Sequence, residues 1–310
     1  MDRVRITDVS PRDGLQNEPL GPAGPIPAAQ KARLVQLLAA SGVDEVEVSS
    51  FVSPRWVPQL GDAADVFAAL AHLSPRPVFS ALVPNEKGMA AALEVNQRAG
   101  RRVLDKIALF TAASETFAHR NINAGIAESI RRFEPVVAAA GREGLLVRAY
   151  ISCAVACPFE GRTDPQKVAH VAQALADLGA DDLDLGDTIG AAEPGDITLL
   201  VQAIAARLGD AVIPRLTLHL HDTFGRAAES VGEGLQMGIR SFDGAVGGLG
   251  GCPYASSPGR RAPGNISTET LIHRLQRDGY ECAVDPTRLA VAAAFAAQIV
   301  APGRAQESRA

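Results

Sequence analysis

A (β/α)8 TIM barrel with additional C-terminal helices is the fold this sequence predicts, and three observations carry it. Eight short β-rich runs recur along the chain, and helix-like stretches separate them. Strict alternation reads as parallel βα units, because parallel neighbours need a crossover segment between them. The length of 310 residues suits a single barrel of this kind. An open, doubly wound sheet shares the alternation and is the weaker alternative.

The first run covers residues 4–9 and opens onto a polar loop. Segment 28–41 carries Leu34, Leu37 and Leu38 at helical spacing and stops at Gly42, a C-cap residue. Run 44–49 leads to a helix over 62–72. Run 78–83 precedes a helix over 86–100 that closes on Gly100, and run 105–110 precedes one over 126–141. Run 146–152 is followed by 165–179, where Val168, Val171, Leu175 and Leu178 form the apolar stripe and Gly179 ends it. Runs 182–185, 216–221 and 242–246 complete the eight. Between them lie helices over 194–208 and 225–238, the second ending at Gly238. The tail from 268 to about 299 reads as two more helices, followed by a polar end expected to fray. The barrel thus takes about 4–250, and a loop and the terminal helices about 250–300, of one domain over 1–310.

Composition narrows the function. A 47% hydrophobic and 21% charged chain can bury a full core, which excludes disorder as the main state. A net charge of −5 with dispersed basic residues argues against nucleic acid and against a polybasic membrane patch. No apolar run approaches the roughly 18 residues of a membrane span. The N-terminus MDRVRITDVSPRDG has no apolar signal region, so the expected location is the cytoplasm. Four cysteines are too few for a disulfide scaffold.

Barrel chemistry sits where strands end, and the unusual polar residues fall there. His219 and His221 are two apart on one strand, so both imidazoles face the same space. Near a carboxylate such as Asp13, they make a plausible half of a divalent-metal site. Two histidines lining the barrel and bonded to carbonyls is the plainer reading, and spacing leaves Mg, Mn, Fe and Zn open. Glu47 inside the mouth needs a partner, and Arg12 is a natural one for it or for Asp187. Asp222 reads as a helix cap. Cys252 follows four glycines in a loop able to fold over a ligand, where a thiol is either a proton carrier or inert. Cys153 and Cys157 read as packing residues. The glycines near Gly248 are not a dinucleotide fingerprint, which belongs after the first strand.

With these residues assembled, the sequence resembles the hydroxymethylglutaryl-CoA lyases of the DRE-type TIM metallolyase superfamily. The resemblance runs from about residue 4 to 299 through SPRDGLQNE at 10–18, SSFVSPRWVPQLGD at 49–62, LGDTIG at 185–190, HLHDTFG at 219–225 and GGLGGCPYA at 247–255. It implies a divalent cation, Mg or Mn, held by Asp13, His219, His221 and Asn265. It further implies cleavage of 3-hydroxy-3-methylglutaryl-CoA to acetyl-CoA and acetoacetate, with the substrate's C3 hydroxyl and carboxylate chelated. Arg12 matches the arginine that stabilises the enolate, Cys252 the thiol that protonates it, and Asp13 or His219 the base. Glu47 and Asp187 match acidic residues that order Arg12 and the metal region. Gln16, Asn121, Tyr150 and Thr188 are weaker matches to substrate contacts. The resemblance also implies an acyl-CoA partner, a homodimer and a place in leucine degradation.

Two departures stand out. The stretch PYASSPGRRAPG between Cys252 and Asn265 is longer than the family's usual loop and carries Arg260 and Arg261. Asp184 stands where the family often has Ser, and is expected close to Asp187. Both bear on the acyl substrate more than on the reaction, so a lyase for citramalyl-CoA or a longer branched hydroxyglutaryl-CoA is the alternative. A condensing relative would carry a further C-terminal domain, and a metal amidohydrolase places HxH on the first strand. A non-catalytic barrel fits poorly with a full set of chemical residues.

Overall fold

A computed structural model describes residues 3–251 and 262–308. In chain order its strands and helices are β1 (Arg5–Asp8), α1 (Ala28–Ser41), β2 (Glu45–Ser50), α2 (Ala63–Leu70), β3 (Val78–Leu82), α3 (Glu86–Ala99) and β4 (Lys106–Ala112). There follow α4 (Glu115–Ile122), α5 (Ile126–Arg142), β5 (Leu146–Ser152), β6 (Ala156–Cys157), β7 (Gly161–Arg162), α6 (Pro165–Leu178) and β8 (Asp182–Asp187). The last are α7 (Asp196–Leu208), β9 (Leu216–Leu220), α8 (Ala227–Gln236), β10 (Ser241–Gly244), α9 (Thr268–Arg277) and α10 (Pro286–Glu307).

The strands close into a parallel barrel in the order β1-β10-β9-β8-β5-β4-β3-β2, while β6 and β7 form a separate two-stranded ribbon. This is the expected (β/α)8 barrel. Its strands are buried on both faces, as β2, β8 and β9 show along their whole length, because helices cover the outside. The apolar core lies between the strands and that outer layer, and Leu34 and Leu38 of α1 and Val46 and Phe79 of the sheet are among its buried members. Local chemistry sets the helix ends. In α6, Asp164 accepts the Gln166 N–H, Pro165 opens the first turn, and Gly179 at φ 107° closes it.

Four features differ from expectation. Helix α4 is not among the expected helices, since its polar sequence ETFAHRNI has little stripe. It is held by the Ser114 side chain, which accepts from Phe117 N, and ended by Asn123 in the left-handed region. The β6–β7 ribbon is too short to leave a periodic signal. Residues Ser10–Gly14, read as a loop, form one π-helical turn. The terminal helix runs on to Glu307 instead of fraying, because Arg304 pairs with Glu18 at 2.7 Å and Gly303 lets α10 approach the Pro19 carbonyl. Among the described residues, no helix is long and apolar enough to cross a membrane.

Candidate active site

The π-helical turn after β1 sets the site's first two side chains. The backbone N–H groups of Arg12 and Gly14 both return to the Val9 carbonyl, which holds consecutive residues Arg12 and Asp13 buried at the barrel mouth. Arg12 lies between two carboxylates. Its Nε donates to Glu47 Oε2 at 2.6 Å, and its Nη1 donates to Asp13 Oδ1 at 2.7 Å. Glu47 comes from β2, where a register shift between Glu47 and Ser49 marks a bulge. Tyr150 of β5 packs its ring 5.2 Å from the Arg12 guanidinium and donates its hydroxyl to Glu47 at 3.1 Å. The guanidinium is therefore fixed on three sides.

His219 lies on β9, and His221 follows the strand in a bridge with Asn265. The segment around Asn265 is tied to the mouth by three backbone bonds: Asp222 N to Gly264 O, Asn265 N to Leu249 O, and Ile266 N to Leu220 O. Gly250, at φ 103°, is required here, since a Cβ would stand 2.6 Å from the Asn265 amide. Asn265 donates to Asp13 Oδ2 at 2.8 Å. The Nε2 atoms of His219 and His221 each lie 3.9 Å from that same oxygen, too far to hydrogen-bond. Two imidazole nitrogens and a carboxylate oxygen thus converge on one space without bonding to each other, and Asn265 Oδ1 and His221 Nδ1 are buried without a partner. This mixed N/O donor set fits a divalent cation.

The electrostatics suit the same task. Burial raises the Asp13 carboxyl, but Arg12, His219, His221 and the Asn265 bond together outweigh it and bring the pKa to about 2. Burial, reinforced by His219, lowers His221 to about 4, so it is neutral at pH 7 with a lone pair to offer. Burial opposes the charge on Arg12, but Glu47 and Asp13 win and hold it protonated.

Of the weaker candidates, Gln16 reaches the site, donating to Asp13 Oδ1 at 3.1 Å. Thr188 accepts the Cys153 N–H at 2.8 Å, fixing the end of β5 against that of β8. Asn121 is exposed on α4 and bonds the Phe117 carbonyl, away from this cluster of contacts. Asp187 was expected to order Arg12, but among the described residues it does neither that nor meet the histidines. Its two oxygens accept the N–H groups of Ala191 and Ala192, and burial lifts its pKa to about 6 against those bonds. Asp222 accepts from Ala227 N at the start of α8, as a cap does. Cys153 and Cys157 are buried in a small apolar cluster with Phe117. Cys252, Arg260 and Arg261 lie outside the described residues.

Two buried residues were missed: Arg148 of β5, which donates to Asp243 of β10 at 2.9 Å, and Asp243 itself, 3.1 Å from His219 Nδ1. Strand parity was the available signal for the first, since Arg148 stands two before Tyr150. Asp184 belongs with this pair, 3.3 Å from Arg148, and not beside Asp187.

The HMGL-like family profile matches residues 3–295. A Pseudomonas aeruginosa 3-hydroxy-3-isohexenylglutaryl-CoA/hydroxy-methylglutaryl-CoA lyase is 44% identical over 88% of this chain and 85% of its own. A Pseudomonas mevalonii hydroxymethylglutaryl-CoA lyase is 43% identical over 100% of this chain and 96% of its own. The crystal structure of the HMG-CoA lyase from Brucella melitensis superposes with a TM-score of 0.88 at 40% identity, covering 97% of this chain and 100% of that one.

Proposed function

The chain belongs to the HMGL-like family, and from that premise we propose that it is a carbon–carbon lyase cleaving 3-hydroxy-3-methylglutaryl-CoA to acetyl-CoA and acetoacetate. The observation that carries the reading is the convergence of Asp13 Oδ2 with the two Nε2 atoms, beside a guanidinium 2.7 Å from the same carboxylate. The full-length likeness to named lyases supports it.

Asp13, His219, His221 and Asn265 hold the cation, Mg or Mn. Bound there, a divalent ion supplies Lewis-acid polarisation of the substrate's C3 hydroxyl and carboxylate. The hydroxyl proton passes to Asp13 or His219, and a His219 ring that ligates through Nε2 and keeps its proton on Nδ1 leaves Asp13 as the acceptor. As the proton leaves, the C3–O electrons form the ketone of acetoacetate and the C2–C3 pair moves into the thioester, giving the enolate of acetyl-CoA. Among the described residues Arg12 is the one fixed positive charge of the cluster, and it stabilises the enolate oxygen. Glu47 and Tyr150 hold Arg12 in place for this. Cys252 then delivers a proton to the enolate carbon, completing the balance.

Purified protein, stripped with a chelator and reloaded with Mg or Mn, is expected to release acetoacetate from 3-hydroxy-3-methylglutaryl-CoA only when loaded. No cleavage with either ion would overturn the proposal. The name of the Pseudomonas aeruginosa relative favours a second reading, a longer branched 3-hydroxyglutaryl-CoA. A panel of such thioesters and citramalyl-CoA ranks the substrates by kcat/KM.

A further inference from the structure

We propose that Asp243 is a positioning residue for the reaction: it holds His219 in the tautomer whose Nε2 lone pair faces Asp13 and His221. The inference rests on the reading of His219 as a cation ligand. A neutral imidazole carries its proton on one nitrogen only, and a ligand nitrogen must be the bare one. Among the described residues nothing on the His219 side of the mouth selects Nε2, since its nearest acidic atom there, Asp13 Oδ2, is 3.9 Å away. Selection therefore falls to the other end of the ring, where Asp243 Oδ2 lies 3.1 Å from Nδ1. A carboxylate accepts and does not donate, so this contact places the proton on Nδ1 and leaves Nε2 free.

Asp243 is itself held. It stands beside His219 in the ladder of β10 and β9, and its other oxygen accepts from Arg148 Nη1 at 2.9 Å. Arg148 is buried and anchored to Thr7 at 2.9 Å, so the guanidinium cannot swing away. Asp184, His219 and Asp243 bring three ligand atoms together and resemble a second cation site. Arg148 already reaches both carboxylates, at 2.9 and 3.3 Å, so that position holds the protein's own cation. The cluster acts on the mouth through one ring, that of His219.

Asp243→Asn tests the assignment, and Arg148 makes the outcome directional. Its N–H at Oδ1 orients the new amide with oxygen toward Arg148 and NH2 toward His219 Nδ1. The imidazole is then driven to carry its proton on Nε2, where it cannot ligate. In 15N spectra of histidine-labelled, metal-free protein, with the His219 signal assigned by its loss in His219→Ala, the wild type is expected to show a protonated Nδ1. The Asn variant should show the exchange to Nε2–H, and its Mn affinity, measured by calorimetry, should fall about 10- to 100-fold. Glu45→Gln removes another partner of Arg148 without touching His219, and should leave the tautomer unchanged. Wild-type protein with the proton on Nε2 overturns the proposal, and needs no variant to fold. So does an Asn variant whose tautomer and Mn affinity match the wild type. If His219→Ala binds Mn as tightly as the wild type, the ligand reading of His219 fails and the proposal falls with it, while the tautomer still reports the Asp243 contact separately.

Discussion

The barrel interior holds two layers of buried charge, and they are built differently. In the lower layer each cationic group is gripped by carboxylates. Lys106 Nζ lies 2.7 Å from both Glu45 and Asp182, and Arg148 meets Asp243, Asp184 and Glu45. At the mouth, Arg12 is gripped in the same way by Glu47 and Asp13, yet beside it Asp13 Oδ2 and two imidazole nitrogens converge without bonding. The first arrangement pairs its charges with one another, although Glu45 Oε1, Arg148 Nε and Asp184 Oδ1 stay without a hydrogen-bond partner among the described residues, so its role is to hold strands together. The second offers lone pairs to something that is not protein, so its role is chemistry. His219 joins the layers, with Asp243 below it and Asp13 above.

The largest effect should come from the mouth. His219→Ala is expected to lower lyase kcat by about 10²–10⁴-fold, while thermal unfolding stays near that of the wild type. A large loss of stability instead would make the mouth structural and break the contrast. Next comes the lower layer. Lys106→Met strands two buried carboxylates and should cost about 3–5 kcal/mol in urea unfolding, with kcat per folded molecule close to normal. A large loss of kcat at unchanged stability would reverse the roles.

A smaller effect concerns Asp8, which accepts from Ser10 N and the Thr268 hydroxyl. Burial lifts its pKa to about 6 against those bonds, from 3.8. The folded value lies above the unfolded one, so this group's contribution is present below pH 4 and lost as pH rises through 6. Asp8→Asn should remove that slope, worth about 2–3 kcal/mol, from the pH dependence of urea stability between pH 4 and 7. An unchanged slope would show that Asp8 ionises freely. The smallest effect belongs to Arg304, whose half-exposed guanidinium, screened by solvent, pairs with the buried Glu18. Arg304→Ala should cost about 1 kcal/mol or less and leave kcat within error, read by thermal unfolding.

Much of this was legible in the chain. All eight barrel strands lie where alternating β-rich and helical runs put them, because covered parallel strands must be apolar and their helices must carry a stripe. His219 and His221 were legible through strand parity, and Arg12 with Glu47 through the need of a buried carboxylate for a partner. Asp187 was misjudged because a carboxylate can be satisfied by backbone N–H groups, which leave no mark in a sequence. Asp243 went unseen because its significance depends on a neighbour 24 residues away across a strand ladder. Helix α4 and the full length of α10 escaped because a side-chain cap and a docked glycine, not periodicity, hold them.

The sequence by itself determined the barrel, the ring of polar residues at its mouth and, through its motifs, the family. These follow from local periodicity and from residue types at fixed spacing. Tertiary structure alone decided which carboxylate serves which cation: Glu47 and not Asp187 for Arg12, Asp243 for His219, Arg148 for the Asp184–Asp243 pair. The physical reason is that pairing energies depend on distance and burial across the closed sheet, and closure joins residues that the chain keeps far apart.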